Sequence, residues 1–206
     1  MPFYNVSIPV ALFSGMRIGE IKALTWNDII FDTQTICISK SVAYGAEGTF
    51  IKTPKTKSSY REVVIPIDEI RLLKKMKTNQ KELILKLGSS WVGYTDRDEI
   101  DNNYVFCQWN GKNMAKGSAN RVLQRIINNY NNMVIEKEQL PVISVHGLRH
   151  TSATLLIANN VDVKTVSERL GHKQIGTTLN IYAHSLKERD EYASSVLKDV
   201  LYKKAK

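Results

Sequence analysis

Ser144-Val145-His146-Gly147-Leu148-Arg149-His150-Thr151-Ser152-Ala153-Thr154-Leu155-Leu156-Ile157-Ala158 is the stretch whose reading decides the fold. Ser144 is a good N-cap residue, and the run behind it has the apolar spacing of a helix reaching Ala158. Leu148 and Leu155 are expected on its packed side. His146, Arg149 and His150 are expected on a second face, polar and free to line a site. His146 and His150 also have the i, i+4 spacing of a metal pair. That motif normally carries Glu beside the first His, where Gly147 stands, so a metal is the lesser reading.

Toward the C-terminus, Asp162 caps a helix ending at Leu170, with Gly171 as its stop and His172 directly after. A His there is either held at a helix end by the backbone or is a solvated loop residue. Thr177 or Thr178 caps a helix carrying Tyr182. A last amphipathic helix uses Tyr192, Val196, Val200 and Leu201. Taken alone, Tyr182 would be an ordinary core or interface aromatic, as Tyr44, Tyr60, Tyr130 and Tyr192 are read.

Toward the N-terminus, Ser118 to about Met133 is helical, and Asp68 caps a long amphipathic helix stopped by Gly88. Residues 89–103 are turn-rich, and Tyr104 to Cys107 has the look of a short strand. Thr35–Ser39, Phe50–Thr53 and Arg61–Ile65 are β-rich, with turns at Tyr44–Gly48 and Lys55–Ser59. Ile8 to Phe13 is a buried helix with Pro9 in its first turn, and Gly15 interrupts it. Ile18, Ile21 and Leu24 then recur at helical spacing. The expected class is α+β, mainly helical, with a small three-stranded antiparallel sheet packed beside a helical core. Arg17 and Glu20 meet on one helix face. They form either a surface ion pair or an arginine held by Glu20 and aimed at a phosphate, which the guanidinium fork suits.

The 206 residues are enough for one large domain or two small ones, and 43% are apolar, ordinary for a protein with a real core. Against 20 Asp and Glu stand 29 Lys and Arg, a net +9 that favours a polyanionic partner such as nucleic acid. Cys37 and Cys107 lie far apart without metal spacing, which points to a reducing cytosol rather than a disulfide framework. No run approaches a membrane span, and no signal peptide is evident at Met1–Val10.

In order, Arg17, the turn Lys55-Thr56-Lys57-Ser58-Ser59, His146-x-x-Arg149, Leu170-Gly171-His172 and Tyr182 resemble the tyrosine recombinases of phage and conjugative-transposon integrases. Leu24-Thr25-Trp26-Asn27-Asp28-Ile29 and His150-Thr151-Ser152-Ala153-Thr154 agree, so the resemblance runs from Ser14 to about Leu201. It implies that family's catalytic-domain fold over residues 1–206, and site-specific cleavage and rejoining of double-stranded DNA for integration and excision of a mobile element. Tyr182 would be the nucleophile, forming a 3′-phosphotyrosyl link. Arg17 and Arg149 would clamp the phosphate, His172 would hydrogen-bond to it, and His146 would be base or proton relay. Lys55, with Lys57 as the alternative, would protonate the leaving oxygen, and Glu20 would orient the cluster. No metal, other cofactor or ATP is implied. Lys52, Lys57, Arg61, Lys112, Lys116, Arg121 and Arg125 are candidate DNA contacts.

Family members carry N-terminal core-binding and arm-binding domains, which are expected to be absent from this chain. Residues 187–206 are expected to be a helical tail that packs on its own domain or on a neighbour. A full-length protein would be a homotetramer on paired DNA sites in the bacterial cytosol, and this fragment a monomer without DNA. Topoisomerase IB-like relaxation, or a truncated non-catalytic DNA-binding remnant, are the alternatives.

Overall fold

The computed structural model describes residues 4–45, 48–52, 60–172, 176 and 197–198. Helix α1 (Ser7–Ser14) tolerates Pro9 because amide hydrogens of a first turn have no helical partner to lose. It stops at Gly15, whose φ of 63° turns the chain. Helix α2 (Ile18–Ala23) follows at once, and Glu20 caps it by accepting the Arg17 backbone N–H at 2.8 Å.

Five strands come next: β1 (Ile29–Ile30), β2 (Thr35–Ile38), β3 (Ser41–Gly45), β4 (Gly48–Lys52) and β5 (Arg61–Val64). The small three-stranded antiparallel sheet is present in the order β1-β2-β5, but its membership differs from the expectation. Ile36 at its centre lies opposite Ile29 on one side and Val63 on the other, so both edges of β2 are occupied. The strand at Phe50 to Lys52, expected in this sheet, instead pairs with Ser41–Val42–Ala43 in a separate hairpin that also includes Tyr44 and Gly45 as strand residues. That hairpin lies against α2. A Cβ on Gly19 would stand 2.5 Å from Ser41 Oγ and 2.8 Å from the Val42 carbonyl oxygen. Tyr104 to Cys107 makes only isolated bridges, Thr25 to Tyr104 and Cys107 to Asn113, rather than a strand.

Helix α3 (Ile67–Leu87) starts after Pro66, not at Asp68, whose carboxylate pairs with Arg71 on the surface. Ile70, Leu73, Met76, Gln80 and Ile84 form its buried stripe, and Gly88 ends it. Helices α4 (Ser118–Asn131), α5 (Val145–Ala158) and α6 (Val163–Leu170) follow. The α5 and α6 caps are those expected. Ser144 Oγ accepts from Gly147 N at 3.2 Å, and Asp162 Oδ1 accepts from Thr165 N at 2.9 Å.

Two hydrophobic clusters share α5. Val145 and Leu148 belong to the main core with α1, α2, the sheet, α3 and α4. Ala153 and Ile157 pack with Val166 and Leu170 of α6. Arg149 lies on the seam between them. Leu155, expected to pack, faces away from both clusters and is 53% exposed. No helix among the described residues is long and apolar enough to cross a membrane.

Candidate functional site

Arg149 is the deepest charged group of this region, only 3% exposed. Its Nη1 donates to the carbonyl oxygen of Gly15 at 2.5 Å. Its Nη2 is buried and has no hydrogen-bond partner among the described residues. Such a donor is costly to leave unsatisfied, so it marks a place where an acceptor belongs. Burial first, and then the nearby charges of Arg17 and Arg61 against the opposing pull of Glu20, push the Arg149 pKa down to about 9. The side chain stays cationic at neutral pH.

Arg17 approaches from the N-terminus of α2. Its Nη1 donates to Glu20 Oε1 at 3.0 Å and its Nη2 to the Gly171 carbonyl oxygen at 3.0 Å. Its side chain is still 44% exposed, which leaves part of the guanidinium open. Gly171 ends α6 at φ 67°, and His172 follows directly. His172 is half-buried. Burial first, then the guanidiniums of Arg149, Arg17 and Arg61, push its imidazole down to about 4. His146 is exposed on α5, its ring edge-on to His150 at 4.8 Å. Its pKa is lowered by burial, then by His150, Arg149 and Arg17. Of the residues expected at the site, Arg17 and Arg149 lie within electrostatic reach of each other and of both His146 and His172. The expected polar face of α5 is divided: His146 and His150 face solvent, while Arg149 is turned inward beside Leu148.

Glu20 is the single carboxylate of this cluster among the described residues, and its environment is unusual. Desolvation opposes its ionisation, but the hydrogen bond and charge of Arg61, with those of Arg17, outweigh it and hold the carboxyl below its ordinary range. Arg61 donates Nη1 to Oε1 at 3.1 Å and Nη2 to Oε2 at 2.8 Å, a two-pronged pairing. Its side chain is 6% exposed. The expectation of a DNA-facing Arg61 is corrected accordingly, since this guanidinium is turned into the protein. Sequence reasoning missed its real neighbours because Glu20 lies 41 positions away and no local spacing links them. It also missed Arg169, which donates to the carbonyls of Phe13 and Val64 and ties α6 to α1 and β5.

Of the other expected DNA contacts, Lys52, Lys112, Lys116, Arg121 and Arg125 are exposed. Lys116 sits 5.5 Å over the Tyr44 ring, and Arg121 and Arg125 line a groove of about 510 Å³ with Tyr4 and Trp109. Lys55, Lys57, Tyr182 and nearly all of the 187–206 tail lie outside the described residues.

The shifts of Glu20, His146 and His172 share one sign: each group binds its proton less readily in the folded protein than in the unfolded chain. Stability is then complete above the ordinary histidine value of 6.5 and is lost as pH falls toward the folded His172 value of about 4, with Glu20 adding a further loss below that. Urea midpoints measured from pH 7 to pH 4 should fall steadily, and His172→Gln should flatten the upper part of that slope. An unchanged slope in the variant would remove His172 as its source.

Three guanidiniums against one carboxylate leave this cluster with a net positive charge, which favours an anion. Comparison with known proteins agrees in kind. Residues 4–189 match the model of the phage integrase family. A tyrosine recombinase XerC-like protein from Caldanaerobacter subterraneus is 31% identical over 200 residues, covering 93% of this chain and 48% of that protein. The ICEBs1 integrase of Bacillus subtilis is 31% identical over 193 residues, again 93% of this chain and 48% of the relative. Among solved structures, the Tn1549 transposon integrase in complex with transposon right end DNA gives a TM-score of 0.72 at 25% identity, over 91% of this chain and 58% of that one. The chain thus spans about half the length of the curated relatives it matches.

Proposed function

Because this chain belongs to the phage integrase family, we propose that it is the catalytic part of a site-specific DNA recombinase that cuts and rejoins the ends of a mobile element. The carrying observation is the Arg17–Arg149 pair near His146 and His172, with Arg149 Nη2 buried and lacking an acceptor among the described residues. A scissile phosphate supplies what that donor lacks. Phosphoryl transfer is mainly positioning and charge stabilisation, and two anchored guanidiniums provide both.

In this reading Arg17 and Arg149 hold the non-bridging oxygens and His172 adds a hydrogen bond. The phenol oxygen of Tyr182 attacks the phosphorus, and the bond to the 5′-oxygen breaks. The phenol proton passes to His146, which is neutral near pH 7 because burial and neighbouring cations lower its pKa. Lys55, with Lys57 as the alternative, protonates the departing 5′-oxygen, giving a 5′-hydroxyl and a 3′-phosphotyrosyl bond. Reversal by a different 5′-hydroxyl completes strand exchange without ATP, since the phosphodiester bond energy is kept in the adduct. Duplex DNA is the substrate, held through the exposed Lys52, Lys112, Lys116, Arg121 and Arg125, and the full-length protein works as a tetramer on paired sites. The names of the relatives, integrases of mobile elements, favour this over simple supercoil relaxation.

The test is a duplex carrying the element's own end, nicked so that the freed 5′-hydroxyl fragment diffuses away. The chain should accumulate on it as a protein–DNA adduct that survives boiling in detergent, with the same yield in the presence of a chelator. Cleavage that leaves protein-free 3′ ends, or that the chelator stops, would replace this reading with that of a metal-dependent nuclease.

A further inference from the structure

Glu20 does not serve Arg17 alone. Its carboxylate lies between two guanidiniums, Arg17 at 3.0 Å and Arg61 at 2.8 and 3.1 Å. The contact with Arg61 is the closer and the more buried, at 6% and 9% exposure of the two side chains. We propose that Arg61 is a positioning residue for the phosphate-binding pair: it takes up the charge of Glu20, so that Arg17 keeps its own charge for the phosphate, and it fixes the end of α6 from which His172 follows.

The electrostatic half of this follows from counting charges. With Arg61 removed, Glu20 and Arg17 would be a closed, neutral ion pair, and an incoming phosphate would have to compete with the carboxylate for the same guanidinium. With Arg61 in place both carboxylate oxygens are engaged by a fork, and Arg17 adds only one Nη1 contact and a backbone N–H. Two positive charges, on Arg17 and Arg149, are then left over.

The geometric half rests on α6. The last carbonyls of a helix have no internal partner. Arg61 Nε donates to that of Arg169 at 2.8 Å, and Arg17 Nη2 to that of Gly171 at 3.0 Å. Residue 171 has to be glycine for this. Its φ is 67°, and a Cβ would stand 2.9 Å from Arg61 Nη1 and 3.2 Å from Cζ. One carboxylate and two arginines thereby join α2, β5 and the α6 terminus into a single rigid support.

The proposal rests on the pocket being a phosphate site, and the experiment separates the two ideas by using inorganic phosphate as well as DNA. Phosphate affinity is measured calorimetrically on the whole chain as wild type, Arg61→Gln, Arg61→Lys and the pair Arg61→Gln/Glu20→Gln. The rate of adduct formation on saturating nicked DNA is measured for the same four. Arg61→Gln should weaken phosphate about tenfold, the size of one coupled charge pair, and slow adduct formation by a similar factor. Arg61→Lys should recover most of the affinity, and so should the pair, because it removes the carboxylate along with its partner. A role in folding alone predicts the opposite for the pair, with both losses persisting or deepening, and that result overturns the proposal. So does wild-type affinity in Arg61→Gln. If that single variant fails to fold, the pair decides: phosphate affinity within about threefold of wild type supports the proposal, and a tenfold loss ends it. Phosphate affinities that follow the expected order, with no adduct from the wild type, would keep the Arg61 role and discard the recombinase reading.

Discussion

Tyr182→Phe should leave no covalent protein–DNA adduct while DNA is still bound. The substitution removes one oxygen atom and nothing else of the ring, so the shape and apolar character of the side chain are nearly unchanged. Chemically it removes the only atom assigned to attack phosphorus. Removing a nucleophile from an otherwise intact site has an effect on the order of 10⁴-fold or more. Since the adduct is the stable product of a nicked substrate, its yield reads that loss directly. Binding is expected to persist because the contacts proposed for it, from the Arg17–Arg149 pair and from exposed lysines and arginines, do not involve the phenol. The salt dependence of binding should therefore be the same for variant and wild type. An adduct of undiminished yield in Tyr182→Phe would assign the attack to another residue.

The parts of the molecule that were legible in the sequence are those specified locally. Helix α5 begins after Ser144 and α6 after Asp162 because each cap accepts a backbone N–H three residues on, which a single sequence displays. Gly15 and Gly171 stop their helices through positive φ, again a local property. Arg17 and Glu20 are a pair at i, i+3, and the structure keeps them as one. Errors began where the decisive partner was distant. Phe50–Lys52 has the composition of a strand, but composition does not say which edge is free. The edges of β2 were taken by β1 and β5, and β1 is a two-residue strand too short to show alternation. Asp68 has the chemistry of a cap, yet Pro66 fixes the entry to α3 and Asp68 bonds to Arg71 instead. Leu155 fits an apolar stripe but falls outside both clusters that share α5. Arg61 is the most instructive case. Its basic charge suggested an outward DNA contact, whereas a carboxylate 41 positions earlier turns it inward. A lysine or arginine beside a β-turn carries no sign of direction until its partner is placed.

Arg149→Met should abolish cleavage and at the same time leave the protein as stable as before, or more so. In the wild type, a guanidinium 3% exposed is held by the Gly15 carbonyl, and its Nη2 has no partner among the described residues. The depression of its pKa to about 9, mostly from burial, says that the folded protein disfavours this charge where it stands. Methionine has a similar length, packs readily against Leu148 and its neighbours, and carries no charge to desolvate. Against that gain, the Gly15 carbonyl loses its donor, a penalty of about 1–3 kcal/mol if water does not replace it. Replacement of a buried ion by a well-packed apolar group is commonly neutral or stabilising by about 1–4 kcal/mol, so the two effects are of similar size and the balance tilts toward stability. The catalytic effect has no such offset. A donor aimed at developing negative charge is worth roughly 10²–10³ in rate, and Arg149 brings its Nη2 and its positive charge to the proposed clamp. Urea midpoints at pH 7 and adduct yields on nicked DNA are the paired measurements. A residue kept for folding would show the reverse pattern, with the midpoint sharply lowered and cleavage surviving in whatever fraction remains folded. Loss of activity with retained or raised stability instead identifies Arg149 as strain held in the native state for the sake of an anion.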